Sequence, residues 1–494
     1  MNFIGVDCGT SALKAVLVDE NELMLAKSSQ SYRPANPRPL WSEQNTDDWL
    51  AAMLAAFAEV ARQAPQAMAG VAAIGLSGQM HSAVLLDGAD KPLRPAILHN
   101  DGRAFAQARR LAVENPELAA IVGVKPMAGF TAPKLMWLRE HEPSVFSRLR
   151  SVLLPKDYLR LALTGEKATD MSDGAGSWLL DEKARRWSRQ ALAACELDRA
   201  LMPALLEGSA PAGRLRDAFA DRFGVKRGAI VAAGGGDAAA GAVGIGAVRP
   251  GAAFVSLGTA AQLIVAQDKY RATSPERLVH GFAHALPRRW YRMAAMLNGA
   301  GALAFLGRLL GAEPAELELE AARDYRGPGE VIALPYLSGE RTPHDDPYAR
   351  GVYFGLTPAT SRADLVRAVM EGVAASLRDA DDCVSEDGRA FSAIALTGGG
   401  ARSELWTRMI AAALGRPVLR YKGGESGPAL GAARLGRLAL GGENPDDVCK
   451  PPPLKDETRP EPALVDAFGL QIERFRGLYR ALAPNFAAAR FLSD

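Results

Sequence analysis

IGVDCGTSALKAVLVD, residues 4–19, returns later in the chain as AFVSLGTAAQLIVAQD, residues 253–268. In each copy an apolar run ends at a Gly-Thr pair (Gly9-Thr10, Gly258-Thr259), a second apolar run follows, and an aspartate (Asp19, Asp268) closes the segment at the same spacing. The pattern predicts one β-hairpin used in two lobes. Glycine takes a tight turn that a Cβ would obstruct, and threonine adds a hydroxyl to exposed backbone N–H groups, so each turn can cradle an anion. Two such turns facing each other would grip a polyphosphate. The copies differ in charge, because Asp7 and Lys14 of the first correspond to Ser256 and Leu263 of the second. A repeated scaffold charged in one copy predicts a nucleotide cleft whose metal-side carboxylate comes from one lobe.

The chain has 494 residues, 48% of them hydrophobic, which exceeds one ordinary core and agrees with two large lobes. Its 58 basic and 56 acidic residues are interspersed and leave a net charge of +2, without the basic blocks that a nucleic-acid partner requires. Cys8, Cys195, Cys383 and Cys449 lie far apart, and the histidines at 81, 99, 141, 280, 284 and 344 show no metal spacing, so a reduced cytoplasm without structural zinc is expected. Asp7 and Lys14 fall inside the first strands, where a signal peptide would be apolar, and no apolar run approaches the ~18 residues of a membrane span. No membrane association is expected.

Between the hairpins, strands and helices alternate. A Pro-rich loop leads into a helical run ending near Arg62, followed by the strand VAAIGL at 71–76. GQMHSAVLLDGADKPLRPAIL reads as strand, Asp-Gly turn and strand, and FTAPKLMWLREHEPSVF has helical spacing. VAAGGGDAAAGAVGIGAV, 231–248, predicts strand, glycine turn and Ala-rich helix, completing a first lobe of residues 1–245. Glycines 244, 246 and 251 with Pro250 mark a hinge before the second lobe, 246–494. That lobe continues through helix LVRAVMEGVAASLRDADD, strand AIAL at 393–396, the turn TGGGARSE and helix LWTRMIAAAL. The Pro-rich stretch CKPPPLKDETRPEP precedes a final helix whose Phe468, Leu470, Ile472, Phe475 and Leu478 call for burial.

Several residue groups carry two readings each. Asp237, at the helix start after three glycines, is either a helix cap or a general base in an apolar setting, where the helix dipole also favours an anion. Asp7 is a strand-end turn residue or a carboxylate able to hold hydrated magnesium beside phosphates. Lys14 is a surface strand residue or a phosphate ligand. Met80-His81 is a structural pair or a ligand contact, and Asn100-Asp101-Gly102-Arg103 is a turn or a set of polar groups suited to hydroxyls. Glycines 398–400 form a strand-to-helix turn that also suits a nucleotide, and Ser338–Pro343 reads as an ion-paired turn.

Taken in order, DCGTSALK, PLWSEQNTDDW, GLSGQMHSAVLLD, RPAILHNDGR, FTAPKLMWL, LLPKDYLRLALTGE, GGGDAAAGAVG, SLGTA, LPYLSGERTPHDDP, GVYFGL, TGGGARSELW and GPALGAARL resemble the FGGY carbohydrate kinases from end to end. Within that family the QMH, NDGR, LLPKDYLR and YLSGERTPH segments are most similar to the bacterial xylulose kinase branch. The resemblance implies an α/β fold of two ribonuclease-H-like lobes, of actin and hexokinase type, around a central cleft. It implies ATP- and magnesium-dependent conversion of D-xylulose to D-xylulose 5-phosphate in pentose catabolism, and a homodimer is consistent with the family's habit. Asp237 then becomes the general base on the 5-hydroxyl and Asp7 the carboxylate near magnesium and the transferred phosphate. Gly9, Thr10, Lys14, Gly258 and Thr259 approach the phosphates, and Gly399, Gly400, Ala401 and Arg402 line the nucleotide side. Met80 and His81 contact the sugar, with Asn100, Asp101 and Arg103 around that pocket. Three departures bear on the sugar: His99 stands where the branch reads Trp before NDGR, Ala238 where it reads Asn after the aspartate, and SLGTAA replaces SLGTSG. Another pentulose or a polyol is the nearest alternative substrate. A non-catalytic sugar sensor and an actin- or chaperone-like ATP switch are the rivals from other classes.

Overall fold

The computed structural model describes residues 1–272, 276, 278–385, 391–424 and 427–488. The hairpin read from residues 4–19 forms as β1 (Asn2–Cys8) and β2 (Ala12–Asp19), the centre of a seven-stranded sheet. Its other strands are β3 (Met24–Ser31), β4 (Val71–Gly78), β5 (Pro211–Arg214), β6 (Ile230–Ala232) and the short β7 (Gly235–Gly236). Their order is β5-β6-β4-β1-β2-β3, with β7 beside β4. The second hairpin forms as β8 (Ala253–Leu257) and β9 (Ala261–Gln267) within another seven-stranded sheet. It adds β10 (Val279–Ala283), β11 (Trp290–Met296), β12 (Ile394–Thr397), β13 (Val418–Tyr421) and β14 (Leu454–Thr458), in the order β10-β11-β9-β8-β12-β13-β14. In both sheets the hairpin is flanked by a third antiparallel strand on one side and parallel strands on the other. The ribonuclease-H-like order thus occurs twice.

The register corrects one detail of the repeat. Cys8 faces Leu13 across the first turn, whereas Leu257 faces Ala261 across the second, which is one residue tighter. Lys14 stands opposite Asp7, and the residue opposite Ser256 is therefore Gln262 and not Leu263.

The helices that position the site are α1 (Thr46–Gln63), α2 (Thr131–His141), α3 (Pro155–Thr164), α4 (Met171–Ala175), α5 (Asp237–Ile245), α6 (Ala300–Leu310), α7 (Arg362–Val384), α8 (Glu404–Leu414), α9 (Gly427–Leu438) and α10 (Pro462–Ala488). Helix α1 starts at Asn45, whose side chain accepts the Asp47 N–H at 3.1 Å, and buries Trp49, Met53, Ala56, Phe57 and Val60 along one face. Two local expectations change. Val84–Leu86 pairs with Ser151–Leu153, and Ala96–Ile97 with Glu43–Gln44, because prolines 92 and 95 break the direct strand-to-strand ladder. Inside the Pro-rich stretch, Leu454–Thr458 forms edge strand β14, fixed by the Arg420–Asp456 ion pair at 2.6 Å. Helix α10 buries Phe468, Ile472 and Phe475 and packs Leu478 against the same core, but Leu470 is 74% exposed. Two residues along a helix turn about 200°, so Leu470 faces away from Phe468.

The sheets draw strands from 2–236 and 253–458 respectively, yet two helices are exchanged between them. Helix α5 buries Ala238, Ala239, Ala242 and Val243 against Phe254 and Ile264 of the second sheet. Helix α9, from late in the chain, packs Leu430 and Ala433 against Phe3, Val18 and Ala73 of the first. The pair lies between the sheets at glycine-permitted distance: a Cβ on Gly5 or Gly75 would collide with the α9 backbone, and one on Gly431 or Gly244 with the partner helix. Gly244 thus serves close packing inside a helix, and only Gly246 and Gly251 adopt positive φ (76° and 79°). Among the described residues no helix is long and apolar enough to cross a membrane.

Candidate active site

Asp237 opens α5 after a glycine loop whose Gly234 has φ +86° and leaves no room for a Cβ beside the Leu76 carbonyl. Its Oδ1 accepts the Ala238 N–H at 2.8 Å, which orients the carboxylate and leaves Oδ2 without a partner in that bond. Burial raises its pKa to about 7, the negative charge of Asp7 adds to the rise, and the Ala238 N–H pulls it back. Asp7, near the end of β1, is also raised by burial, against the pull of Lys14 and Ser77. Asp7 Oδ1 is buried without a hydrogen-bond partner. The structure therefore brings together the two carboxylates singled out in the sequence. A cavity of ≈ 110 Å³ adjoins Asp237 and is lined from the second lobe by Ser256, Gln262, Thr397 and Gly424.

Behind the glycine loop lies a fully buried ionic network. Lys156 Nζ contacts Asp157 at 2.6 Å, Asp170 at 2.9 Å and Asp173 at 3.1 Å, and Arg160 meets Asp157 at 3.0 Å. Burial pushes the Asp173 pKa well up, with the neighbouring carboxylates adding to the rise and Lys156 pulling against it. The network reaches the loop at both ends: Arg160 donates to the Ala233 carbonyl and Gly236 N–H donates to Ser172 Oγ, each at 3.0 Å, while Ser172 Oγ donates to Asp170. The spacing of Lys156, Asp157 and Arg160 inside an apolar helix is a sequence signal for it. Nothing in the linear pattern points to Asp170, Ser172 or Asp173.

Of the residues expected to meet the sugar, Met80 is buried against Gly236, the residue before Asp237. His81 adopts φ +67°, held by Thr131 Oγ1 and by the fully buried Lys134 Nζ, each donating to its carbonyl at 3.0 Å. Its Nδ1 lies 2.6 Å from the Gly176 carbonyl, which places the proton on Nδ1 and leaves Nε2 as acceptor. Burial drives its pKa well below the ordinary value, so this imidazole is neutral. Asn100 is exposed at the rim of a second cavity of ≈ 400 Å³, lined from the first lobe by His99 and Asp101 and from the second by Leu297, Ser338 and Arg341. The Asp101 carboxylate is occupied by Ser42 N–H at 2.6 Å and by Arg103 at 2.7 Å. Arg103 also meets Glu43 at 2.6 Å and lies over the Trp41 ring at 3.6 Å, with a side chain only 1% exposed. These contacts brace the pocket wall, Asp101 lining the cavity and Arg103 keeping one buried nitrogen, Nη1, without a partner. His280, from β10 of the second lobe, packs on the Phe130 ring of the first with centroids 6.1 Å apart and is absent from the sequence-derived set.

Among the residues expected near the phosphates and nucleotide, the Gly9 carbonyl accepts Tyr32 OH at 2.6 Å and Thr10 Oγ1 donates to Gln79 at 3.2 Å. The Gly258 and Thr259 carbonyls accept the Ala300 and Gly301 N–H groups, at 2.7 and 3.2 Å, docking the second turn on the start of α6. Gly399–Arg402 forms one 3-10 turn after β12. Gly398 (φ +87°) and Gly400 are sterically forced by Leu257, whereas Gly399 borders open space and Arg402 is exposed. Lys14 is exposed on β2 opposite Asp7. No cluster of three or more His, Cys, Asp or Glu with metal-binding geometry exists among the described residues. A cation at Asp7 therefore needs further oxygens from phosphate and water, which is how magnesium is commonly held beside nucleotides.

The profile of the FGGY family of carbohydrate kinases, N-terminal domain, matches residues 2–244, and that of the C-terminal domain matches 253–440. The chain is 43% identical over 490 residues to a xylulose kinase of Escherichia coli (strain K12), covering 98% of this chain and 100% of that protein. It superimposes on a crystal structure of a xyloylose kinase from Brucella ovis with a TM-score of 0.94 at 43% identity, covering 98% and 100% of the two chains. It superimposes on a xylulose kinase from Rhodospirillum rubrum with a TM-score of 0.89 at 28% identity, covering 99% and 100%.

Proposed function

The chain belongs to the FGGY family of carbohydrate kinases, and from that premise we propose that it transfers the γ-phosphoryl group of ATP to the 5-hydroxyl of D-xylulose, yielding D-xylulose 5-phosphate in the cytoplasm. The observation that carries the site assignment is the Asp237–Asp7 pair. Asp237 begins a helix, lies between the two lobes, has one oxygen oriented by backbone and the other available, and is held at a pKa of about 7. Phosphoryl transfer asks mainly for alignment and charge neutralisation, so the base accepts its proton late and need not be strong. Asp237 Oδ2 receives the proton of the 5-hydroxyl, and the buried Lys156 network holds the loop that aims it. Asp7 is the residue that would hold hydrated magnesium, which when bound neutralises charge on the transferred phosphate. The turns at Gly9-Thr10 and Gly258-Thr259, with Lys14, face the phosphates, and Gly399, Gly400, Ala401 and Arg402 border the nucleotide. Met80 and His81 contact the sugar, while Asp101 and Arg103 stiffen the wall behind it. Residues 1–245 and 246–494 form the lobes that close over the reactants and exclude water.

A coupled ADP-release assay with ATP and magnesium, across ketopentoses, aldopentoses and pentitols, tests this function. D-xylulose should give the largest kcat/KM. Asp237→Ala should lower kcat by about 10²-fold or more, the range for loss of a general base, with little effect on KM for ATP. No sugar-stimulated ADP release across the panel would sink the reading, and a preference for another sugar would keep the chemistry and move the substrate.

A further inference from the structure

The segment carrying Arg341 was expected to be an ion-paired turn, and it is not one. Glu340 is spent on the protein itself: its carboxylate accepts Leu297 N–H at 2.6 Å, Arg341 N–H at 2.8 Å and Asn298 Nδ2 at 3.2 Å. The Arg341 guanidinium, by contrast, makes no hydrogen bond or ion pair among the described residues. It lines the ≈ 400 Å³ cavity that the two lobes share, and it faces His99 there. His99 has a matching deficit, because its Nδ1 is buried without a partner. Burial, with Lys134 and Arg341 nearby, lowers the His99 pKa to about 4, so its ring is neutral and offers one donor and one acceptor. The buried ring nitrogen is unfavourable unless a ligand completes it, and the half-buried guanidinium presents unpaired donors to the same cavity.

From Arg341 a series of neighbouring side chains leads toward the loop that carries the base. Burial and the Arg341 charge depress His280, and His280 and His81 both pack on the Phe130 ring, with centroids 6.1 and 4.7 Å away. Met80 precedes His81 and touches Gly236, which precedes Asp237. A ketopentose phosphorylated on its 5-hydroxyl must be bound open-chain, since furanose closure would consume that oxygen. Its C2 carbonyl is then free at the end remote from the reaction.

We propose that Arg341 of the second lobe and His99 of the first together bind the carbonyl end of the ketose, the guanidinium donating to the oxygens on C1 and C2. Arginine presents several donors and no acceptor, which matches adjacent accepting oxygens, and one ligand held from both sides couples sugar occupancy to lobe closure. This assignment rests on the kinase reading above.

The test compares the parent enzyme with Arg341→Gln and Arg341→Lys for KM and kcat on D-xylulose, on its C2 reduction products xylitol and D-arabinitol, and on ATP, with melting temperatures alongside. Arg341→Gln should raise KM for D-xylulose roughly tenfold or more, the scale of one charged hydrogen bond, while KM for ATP changes less than about twofold. Arg341→Lys should fall between, and the preference for D-xylulose over the pentitols should shrink in both variants. An unchanged KM for D-xylulose overturns the proposal, as does an equal loss on ketose and pentitols or a parallel loss on ATP with a lowered melting temperature. In each of these cases D-xylulose turnover by the parent enzyme leaves the kinase reading standing. A parent enzyme without sugar-stimulated ADP release overturns both.

Discussion

Single buried carboxyl groups set much of this protein's response to pH. Glu371, 2% exposed in α7, has its pKa raised to about 7 by burial, against the pull of Tyr325, the Gly329 N–H and Arg367. A folded value above the unfolded one means that the native state binds this proton more tightly. The resulting stabilisation is fully present below the ordinary carboxylate value near 4.5 and is lost as pH rises through about 7. Glu371→Gln removes the charge that must be buried at high pH while keeping the shape. The variant should melt about 2 °C or more above the parent at pH 8, and the difference should vanish near pH 5. Equal differences at both values would assign the effect to packing instead of ionisation. Asp237 and Glu340 shift in the same direction, so their contributions to stability also fall over that interval, while the depressed His81, His99 and His280 contribute in the opposite sense, which is why the test is the difference between variant and parent. At this scale the sequence was informative where chemistry is concentrated. Asp7 and Asp237 stand out as charges in apolar, glycine-rich surroundings. Arg341, Lys134 and His280 look like ordinary polar residues in a line of text, and their significance comes from what burial leaves them without, or with, as partners.

The elements follow the same division between local and distant causes. The hairpins, α1, α7 and α8 are legible because periodicity and turn residues are properties of neighbouring positions. Strand β14 is not, because the prolines around it hide a short edge strand that exists through pairing with β13. The one-residue difference between the two hairpin turns likewise escapes an alignment of their sequences and appears only in the register. The sharpest contribution of distant contacts is the glycine face of the α5–α9 pair. Gly75 lies in the middle of β4, where glycine weakens a strand by its own propensity, and it is there because the α9 backbone passes directly over it. Since the obstacle is a main-chain carbonyl and not a flexible side chain, Gly75→Ala should destabilise the protein by about 1–3 kcal/mol or more. Lowered melting temperature and soluble yield would show it. An unaltered melting temperature would mean that α9 can slide on the sheet at negligible cost.

For the whole molecule, the duplicated hairpin was enough to foresee two lobes of one architecture, but not that each lobe borrows a helix from the other half of the chain. Linear order and spatial order part company there. Helix α9 covers β1 and β4, and its residues follow those strands by several hundred positions. The exchange bears on synthesis as well as on closure. A ribosome delivers the first sheet long before the helix that roofs it, so the apolar face around Phe3, Val18 and Ala73 stays bare while most of the second lobe is still being made. A fragment of residues 1–245 produced alone should accumulate in the insoluble fraction, and supplying residues 246–494 in the same cell should recover part of it as a complex. A soluble, cooperatively melting fragment would show that the sheet does not need its roof. The first lobe is thus an unfinished product for much of its time on the ribosome, and the late arrival of one small, glycine-lined helix decides when its apolar face is covered.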